Sequence, residues 1–411
     1  MRIDQLRLKN YRMFEEINFS FDPSFNLFIG DNGSGKTSLL EALSVAASSW
    51  FLGLRGYDSR HIQQEDVRLV ACKHPGGIHF EACFPVEVIA LGDVSRFPVE
   101  WSCALASRTG RATVRGAKLI KSHAFEAGND VLAGKEIVLP VISYYGTQRL
   151  WKEPRPSQKK NIIKLPETLP QQHGLSRLEG YRDSVDPRIS ILQLEKWIAR
   201  QSWISFQQRQ DTALFVAVKQ AILACLEGGQ DLYFDAERGE VIVVCEESGA
   251  LPLAQLSDGQ RVMVALVADL AQKIARLNPH LGEAALVETP GVVLIDDLDL
   301  HLHPRWQRRV VGDLRRTFPR VQFFATAHSP QIIGEIEPRH VIALDRRSLQ
   351  SSETLEHESG WILRPVMEAS EPPLDLRDSL EDLERLLKAG DLVAAKECLE
   401  RLRDGYGPNR P

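Results

Sequence analysis

The chain has 411 residues, 43% of them apolar and 26% charged, which excludes a mostly disordered polymer, a collagen-like fibre and a small disulfide scaffold. Lys and Arg number 50 against 55 Asp and Glu, a formal net charge of −5, so any nucleic acid would have to be held by a local basic patch. A chain of this length has room for two domains or one elaborated one.

From the N-terminus, residues 3–8 alternate apolar and polar and predict a half-buried strand. Residues 26–30 are a short apolar run ending in glycine, the pattern of a buried strand entering a loop. Beyond it Leu39, Leu40, Leu43 and Ala47 recur at helical spacing. Residues 65–145 hold short runs rich in Val, Ile and Phe, residues 77–85 and 136–145 among them, and predict an antiparallel sheet. Residues 149–164 carry Arg149, Lys152, Arg155, Lys159, Lys160 and Lys164 against Glu153 alone and read as a basic loop. Residues 189–227 are helical in pattern, with Leu194, Trp197, Ile198, Leu214, Val218 and Ile222 as the buried stripe. Further on come a strand at 241–245, a loop into a helix at 256–277, a buried strand at 292–296, a helix at 304–317 and a strand at 322–325. Beyond the break at 371–373, residues 380–388 and 392–403 predict a helical hairpin, with Gly390 closing one helix and Asp391 capping the next.

No apolar run approaches the roughly 20 residues of a membrane span, and the N-terminus has no signal-peptide stretch. The six cysteines, Cys72, Cys83, Cys103, Cys225, Cys245 and Cys398, are scattered and form neither a local zinc motif nor a redox pair. Reduced thiols in a cytoplasmic protein, with no membrane partner, are expected.

The chemistry begins at residues 30–37, GDNGSGKT, a complete phosphate loop set between a strand and a helix. Gly30, Asn32, Gly33, Ser34 and Gly35 let backbone N–H groups turn inward around a phosphate, and the helix N-terminus, through Ser38, adds its dipole. Lys36 reaches the β- and γ-phosphates, and Thr37 can ligate Mg²⁺. Residues 292–297, VVLIDD, place Asp296 at the end of a buried strand, where a second carboxylate holds Mg²⁺, and Asp297 where it can polarise the attacking water. Residues 256–261, LSDGQR, read either as an ordinary helix capped by Ser257 or as a nucleotide-contacting signature built on Ser257, Gly259 and Gln260. Residues 325–331, ATAHSPQ, put His328 after the next sheet strand, where it can face a γ-phosphate. His301 and His303 read either as a metal pair or as loop packing, with no third ligand nearby.

Taken together, LKNYRMF, GDNGSGKTSLLEAL, LSDGQR, LIDDLDLHLHP and ATAHSPQII resemble the RecF/SMC-type branch of ABC ATPases, in family order over most of residues 1–345. The resemblance implies an α/β P-loop NTPase fold: an ABC-type head with two lobes, a helical insertion and the C-terminal hairpin. The expected divisions are 1–148, 149–240, 241–370 and 371–411. It further implies a homodimer sandwiching two ATP molecules, with Ser257 and Gly259 of one head on the γ-phosphate held by Lys36 of the other. Asp296 would be the Walker B residue, Asp299 a D-loop residue, and His328 the switch histidine. Asn10 and Arg12 match positions near the nucleotide, and Gln148 in YYGTQR would be the metal-side Q-loop residue, with Arg149 beside it as the alternative that matters more. The family usually has Glu where this chain has Asp297. The carboxylate is thus withdrawn by one C–C bond, about 1.5 Å, which predicts slow hydrolysis.

Neither a transporter subunit nor a long-armed SMC protein fits the segment between Lys36 and Ser257. The residues after 345 hold no acidic cluster for a nuclease. The LDLHLHP and YYGTQRLW segments with the hairpin tail look like ATPases of bacterial two-gene defence modules, Septu and some retrons, in which the ATPase pairs with an HNH nuclease. A RecF-like repair or housekeeping ATPase acting on DNA is the alternative. The tail packs on itself, on the head or on a partner. Residues 149–164 and the stretch with Arg305, Arg308, Arg309, Arg315, Arg316 and Arg320 against Asp313 are either DNA or RNA contacts or solvated faces.

Overall fold

The computed structural model describes residues 1–74, 77–110, 112–147, 149, 176–189 and 191–344. Its strands are β1 (Arg2–Tyr11), β2 (Phe14–Ser20), β3 (Phe25–Ile29), β4 (Leu69–His74), β5 (Gly77–Ala82), β6 (Val86–Val94), β7 (Phe97–Leu105), β8 (Val141–Tyr145), β9 (Gly229–Asp235), β10 (Glu240–Cys245), β11 (Gly249–Pro252), β12 (Gly291–Ile295), β13 (Val321–Thr326) and β14 (Val341–Ala343). Its α-helices are α1 (Lys36–Ser48), α2 (Lys118–Leu132), α3 (Ile191–Gln208), α4 (Ala213–Cys225), α5 (Asp258–Leu277), α6 (Ala285–Glu288), α7 (Pro304–Thr317) and α8 (Pro330–Gly334).

Five strands form a sheet in the order β14-β3-β13-β12-β8, parallel at every pairing. β3, β8, β12 and β13 are buried at every residue. Strands covered on both faces must read as near-continuous apolar runs, and these do. β13 lies between β3 and β12, so the strand that enters the phosphate loop and the strand that ends at Asp296 are one strand apart. Their carboxyl ends share one edge with that of β13, where ligands bind in open α/β sheets.

A second, antiparallel sheet runs β2-β1-β6-β7. β6 alternates buried with less buried positions, as a strand with one packed face does. α1 packs on β12 and β13 of the first sheet and on β1, β6 and β7 of the second, which is why most of its residues are buried. Two polar side chains fix this layering. Trp101 Nε1 donates to the Ala46 carbonyl at 2.9 Å. The buried amide of Gln322 on β13 accepts from Ile3 N–H at 2.8 Å and donates to the Ile3 carbonyl at 2.8 Å, joining β1 to β13. Smaller units are the β4-β5 hairpin and the β11-β10-β9 sheet, the latter beside α3 and α4.

Several expectations are corrected. Residues 136–145 do not join an antiparallel sheet: β8 is the parallel partner of β12, and its unbroken burial explains the lack of alternation. The helical stretch at 189–227 is two helices, α3 and α4. In α4, Phe215 rather than Leu214 lies in the core. α2 forms where strands were expected, on a narrow buried stripe of Ile120, Ala124 and Gly128. Gln148, the basic residues from Lys152 to Lys164 and the hairpin tail lie outside the described residues.

Candidate nucleotide site

The phosphate loop leaves β3 and enters α1. Gly35 caps the helix at φ 100°, a conformation most side chains avoid. A Cβ there would also stand 2.4 Å from Met13 Sδ. Lys36 Nζ donates to the carbonyls of Gly30 and Asp31 at 2.7 and 2.9 Å, which holds its ammonium over the loop. Ser34 Oγ is buried with no hydrogen-bond partner, and Asn32 and Thr37 are exposed. Ser38 is half-buried in the first turn of α1. Burial lowers the Lys36 pKa, and the charges of Asp297, Asp296, Asp31 and Asp299 pull it back up.

The second half of the site grows from β12 and β13. Thr37 Oγ1 donates to the Asp296 carboxylate at 3.2 and 3.3 Å. Thr326, last residue of β13, donates its hydroxyl to Asp296 Oδ1 at 2.7 Å and accepts the Asp297 N–H at 2.7 Å. Burial pushes the Asp296 carboxyl above its usual range, the Asp297 charge adds to this, and the Thr326 and Thr37 hydroxyls oppose it. Such a carboxylate gains most from a nearby cation. Asp297 is half-buried at φ 48°. The backbone N–H of His328 donates to Asp299 Oδ2 at 3.0 Å, while the His328 side chain is exposed. The hard oxygens of Thr37 and Asp296, the glycine cradle and the orphaned Ser34 hydroxyl fit a Mg²⁺–triphosphate.

Arg149 is the residue the motifs understated. Its side chain is 1% exposed, so it leaves the basic surface expected of 149–164. Nη1 donates to the carbonyls of Asp296 at 2.7 Å and Gly146 at 3.2 Å, and Nη2 to the Asp297 carbonyl at 2.8 Å. Burial lowers its pKa to about 10 against the pull of Asp297, Asp296 and Asp299, and it stays charged. Nothing in the sequence marks an arginine as buried. Thr326 was legible only as the end of an apolar strand beside the Asp296 strand.

Arg12 stands at φ 52° in the turn beside Met13, next to the loop. Its guanidinium pairs with Glu41 of α1 and with Asp66 at 2.9 Å. Arg60 reaches the same two acids at 2.7 and 3.4 Å. Asn10 Nδ2 donates to the Pro85 carbonyl at 3.0 Å. At the start of α5, Ser257 and Gln260 form a reciprocal capping box, with the Gln260 N–H donating to Ser257 Oγ at 3.3 Å. Gly259 abuts the loop after Asp297: a Cβ there would lie 2.4 Å from the His301 carbonyl oxygen. His303 Nδ1 accepts the Arg305 N–H at 3.4 Å and so caps α7. On α7, Arg309 and Arg316 pair with the buried Asp313; just before β13, Arg320 pairs with Glu288 at 2.8 Å. The basic face is therefore weaker than its arginine count.

A family model described as an AAA domain matches residues 5–228, and a second AAA-domain model matches residues 152–334. The chain is similar to the retron Ec83 probable ATPase of Escherichia coli, 23% identical over 473 aligned residues that cover 100% of this chain and 84% of that protein. It is similar to the Septu protein PtuA of Bacillus thuringiensis, 22% identical over 83% of this chain and 75% of the relative. Among solved structures it is similar to the SMC head domain from Thermotoga maritima, at 13% identity, 84% of this chain, 94% of that one and a TM-score of 0.44.

Proposed function

Since the chain belongs to the AAA-domain family, we propose that it is an ATPase whose heads pair around ATP and whose nucleotide state regulates a separately encoded nuclease in anti-phage defence. The observation that carries the chemistry is the convergence of Lys36, Thr37, Asp296, Asp297 and Thr326 on one sheet edge. The likeness to a retron ATPase along the whole chain, together with the LDLHLHP and YYGTQRLW segments, supports the setting.

On this reading the loop N–H groups and Lys36 bind the β- and γ-phosphates. Thr37 and Asp296 hold Mg²⁺, which when bound neutralises charge developing on the transferred phosphoryl group. Asp297 accepts a hydrogen bond from the attacking water and orients it in line. His328 follows β13, between the two halves of the site, and serves the γ-phosphate end. The short Asp297 side chain reaches the water poorly, which makes bound ATP a latch more than a fuel. Across the paired heads, Ser257 and Gly259 complete the site of the other copy.

The test is to purify the product of the native operon with and without ATP, and to repeat it with Lys36→Ala. A nuclease that co-purifies with the wild type and changes its activity with ATP, and fails to respond in the variant, is expected. A chain that purifies alone under both conditions, or a nuclease indifferent to Lys36, overturns the regulatory part.

A further inference from the structure

The peptide that joins Asp296 to Asp297 is held at both ends. Its N–H donates to Thr326 Oγ1 at 2.7 Å, and its carbonyl accepts from Arg149 Nη1 at 2.7 Å. The next carbonyl, that of Asp297, accepts from Arg149 Nη2 at 2.8 Å and from Leu300 N–H at 3.0 Å. In an extended strand successive carbonyls point to opposite sides. Two can converge on one guanidinium only where the chain turns, and the turn here is the φ of 48° at Asp297. Non-glycine residues seldom adopt that conformation, and it persists only where surroundings over-determine it.

The cost of this arrangement is informative. Arg149 is buried, and among the described residues its hydrogen bonds go to three neutral carbonyls and to no carboxylate. Burying a guanidinium without a bonded counterion is expensive, and an apolar side chain of that volume would fill the space at less cost. What an apolar side chain cannot do is fix two successive carbonyls, for which the planar fork of arginine is suited.

We propose that Arg149 is a positioning residue for ATP hydrolysis: its fork, opposed by the Thr326 hydroxyl, clamps the Asp296–Asp297 peptide in the left-handed turn that aims the Asp297 carboxylate at the attacking water. The inference rests on the assignment of Asp297 as the group that orients that water. Arg149 touches neither nucleotide nor water on this account.

The experiment compares Arg149→Lys, which keeps the charge and removes the fork, with Thr326→Val, which keeps the shape and removes the hydroxyl. Thermal unfolding checks each fold, and Asp297→Asn serves as reference. In Arg149→Lys, affinity for the non-hydrolysable analogue AMP-PNP should stay within about threefold. Its kcat and its retention of ADP with aluminium fluoride should fall together by about 10²-fold, the scale of a 1 Å misplacement. Thr326→Val acts on the same peptide from its N–H end. Because it also removes the hydrogen bond to Asp296 Oδ1, its AMP-PNP affinity should weaken too, but its kcat should fall at least about tenfold further than that affinity does, and this excess carries the test should Arg149→Lys fail to fold. The double variant should be little slower than the worse single one, because one clamp is lost once. A loss of AMP-PNP binding equal to the loss of kcat, an unchanged kcat, or effects that multiply overturns the clamp. If Asp297→Asn hydrolyses as fast as the wild type, the assignment of Asp297 fails. A slow Asp297→Asn beside a fully active Arg149→Lys overturns Arg149 alone.

Discussion

Asp297 combines two constraints that pull in different directions. Its backbone lies at φ 48°, a region that Asp and Asn tolerate better than longer side chains do. Its proposed role in orienting the water favours reach, which Glu would extend by about 1.5 Å. Asp297→Glu should therefore cost on the order of 1 kcal/mol of stability, a fall in Tm of roughly 2 °C. If reach limits catalysis, it should also raise kcat by about tenfold or more, since misplacement by about 1 Å is worth up to ~10²-fold. Single-turnover hydrolysis and a melting curve read both effects. A variant that is slower at unchanged ATP affinity would show that the turn, and not the side-chain length, sets the rate. Lys36, Thr37 and Asp296, which the structure brings together, were legible because phosphate-loop chemistry dictates residue type and spacing along the chain. Thr326 and Arg149 act through hydrogen bonds to groups 29 and 147 residues away or more, and no local pattern encodes such a partner.

At the level of elements, α5 and the loop from Asp297 to His303 set each other's position. Gly259 is the point of contact, with the His301 carbonyl 2.4 Å from where a Cβ would sit and His301 itself at φ 60°. Gly259→Ala must push that backbone away, at about 1–3 kcal/mol for an overpacked contact. Better helix propensity returns at most ~1 kcal/mol. The balance predicts a lower denaturation midpoint together with slower turnover, because the loop that moves begins at Asp297. Equal stability and equal turnover would mean that α5 does not govern the loop. The same elements show what a sequence encodes about a fold. β3, β12 and β13 were legible because burial on both faces forces apolar runs. β8 has such a run too, yet nothing in it says whether its partner runs parallel or antiparallel. That follows from its pairing with β12, whose sequence lies far downstream. α2 escaped notice because only Ile120, Ala124 and Gly128 are buried, too narrow a stripe to register as amphipathic.

For the whole molecule, the decisive question is whether a head works alone. Within one chain the Ser257–Gln260 box closes on itself, and the phosphate loop closes on Lys36. On the proposed pairing, each half would meet the other half of a second copy. A two-fold pairing makes every composite site from the phosphate loop of one copy and the signature of the other. Lys36→Ala should inactivate the first half and Ser257→Arg the second. In a mixed dimer of the two variants, one composite site carries both lesions and the other carries none. If copies exchange at random, half of the dimers are mixed and one of their two sites is intact, so an equimolar mixture should recover about a quarter of wild-type activity. Sedimentation in ATP should show the mixed dimer, and neither variant alone should hydrolyse ATP. Heads that act independently would give no recovery at any mixing ratio. A dimer that forms equally well without nucleotide would place the pairing surface away from Ser257 and Lys36.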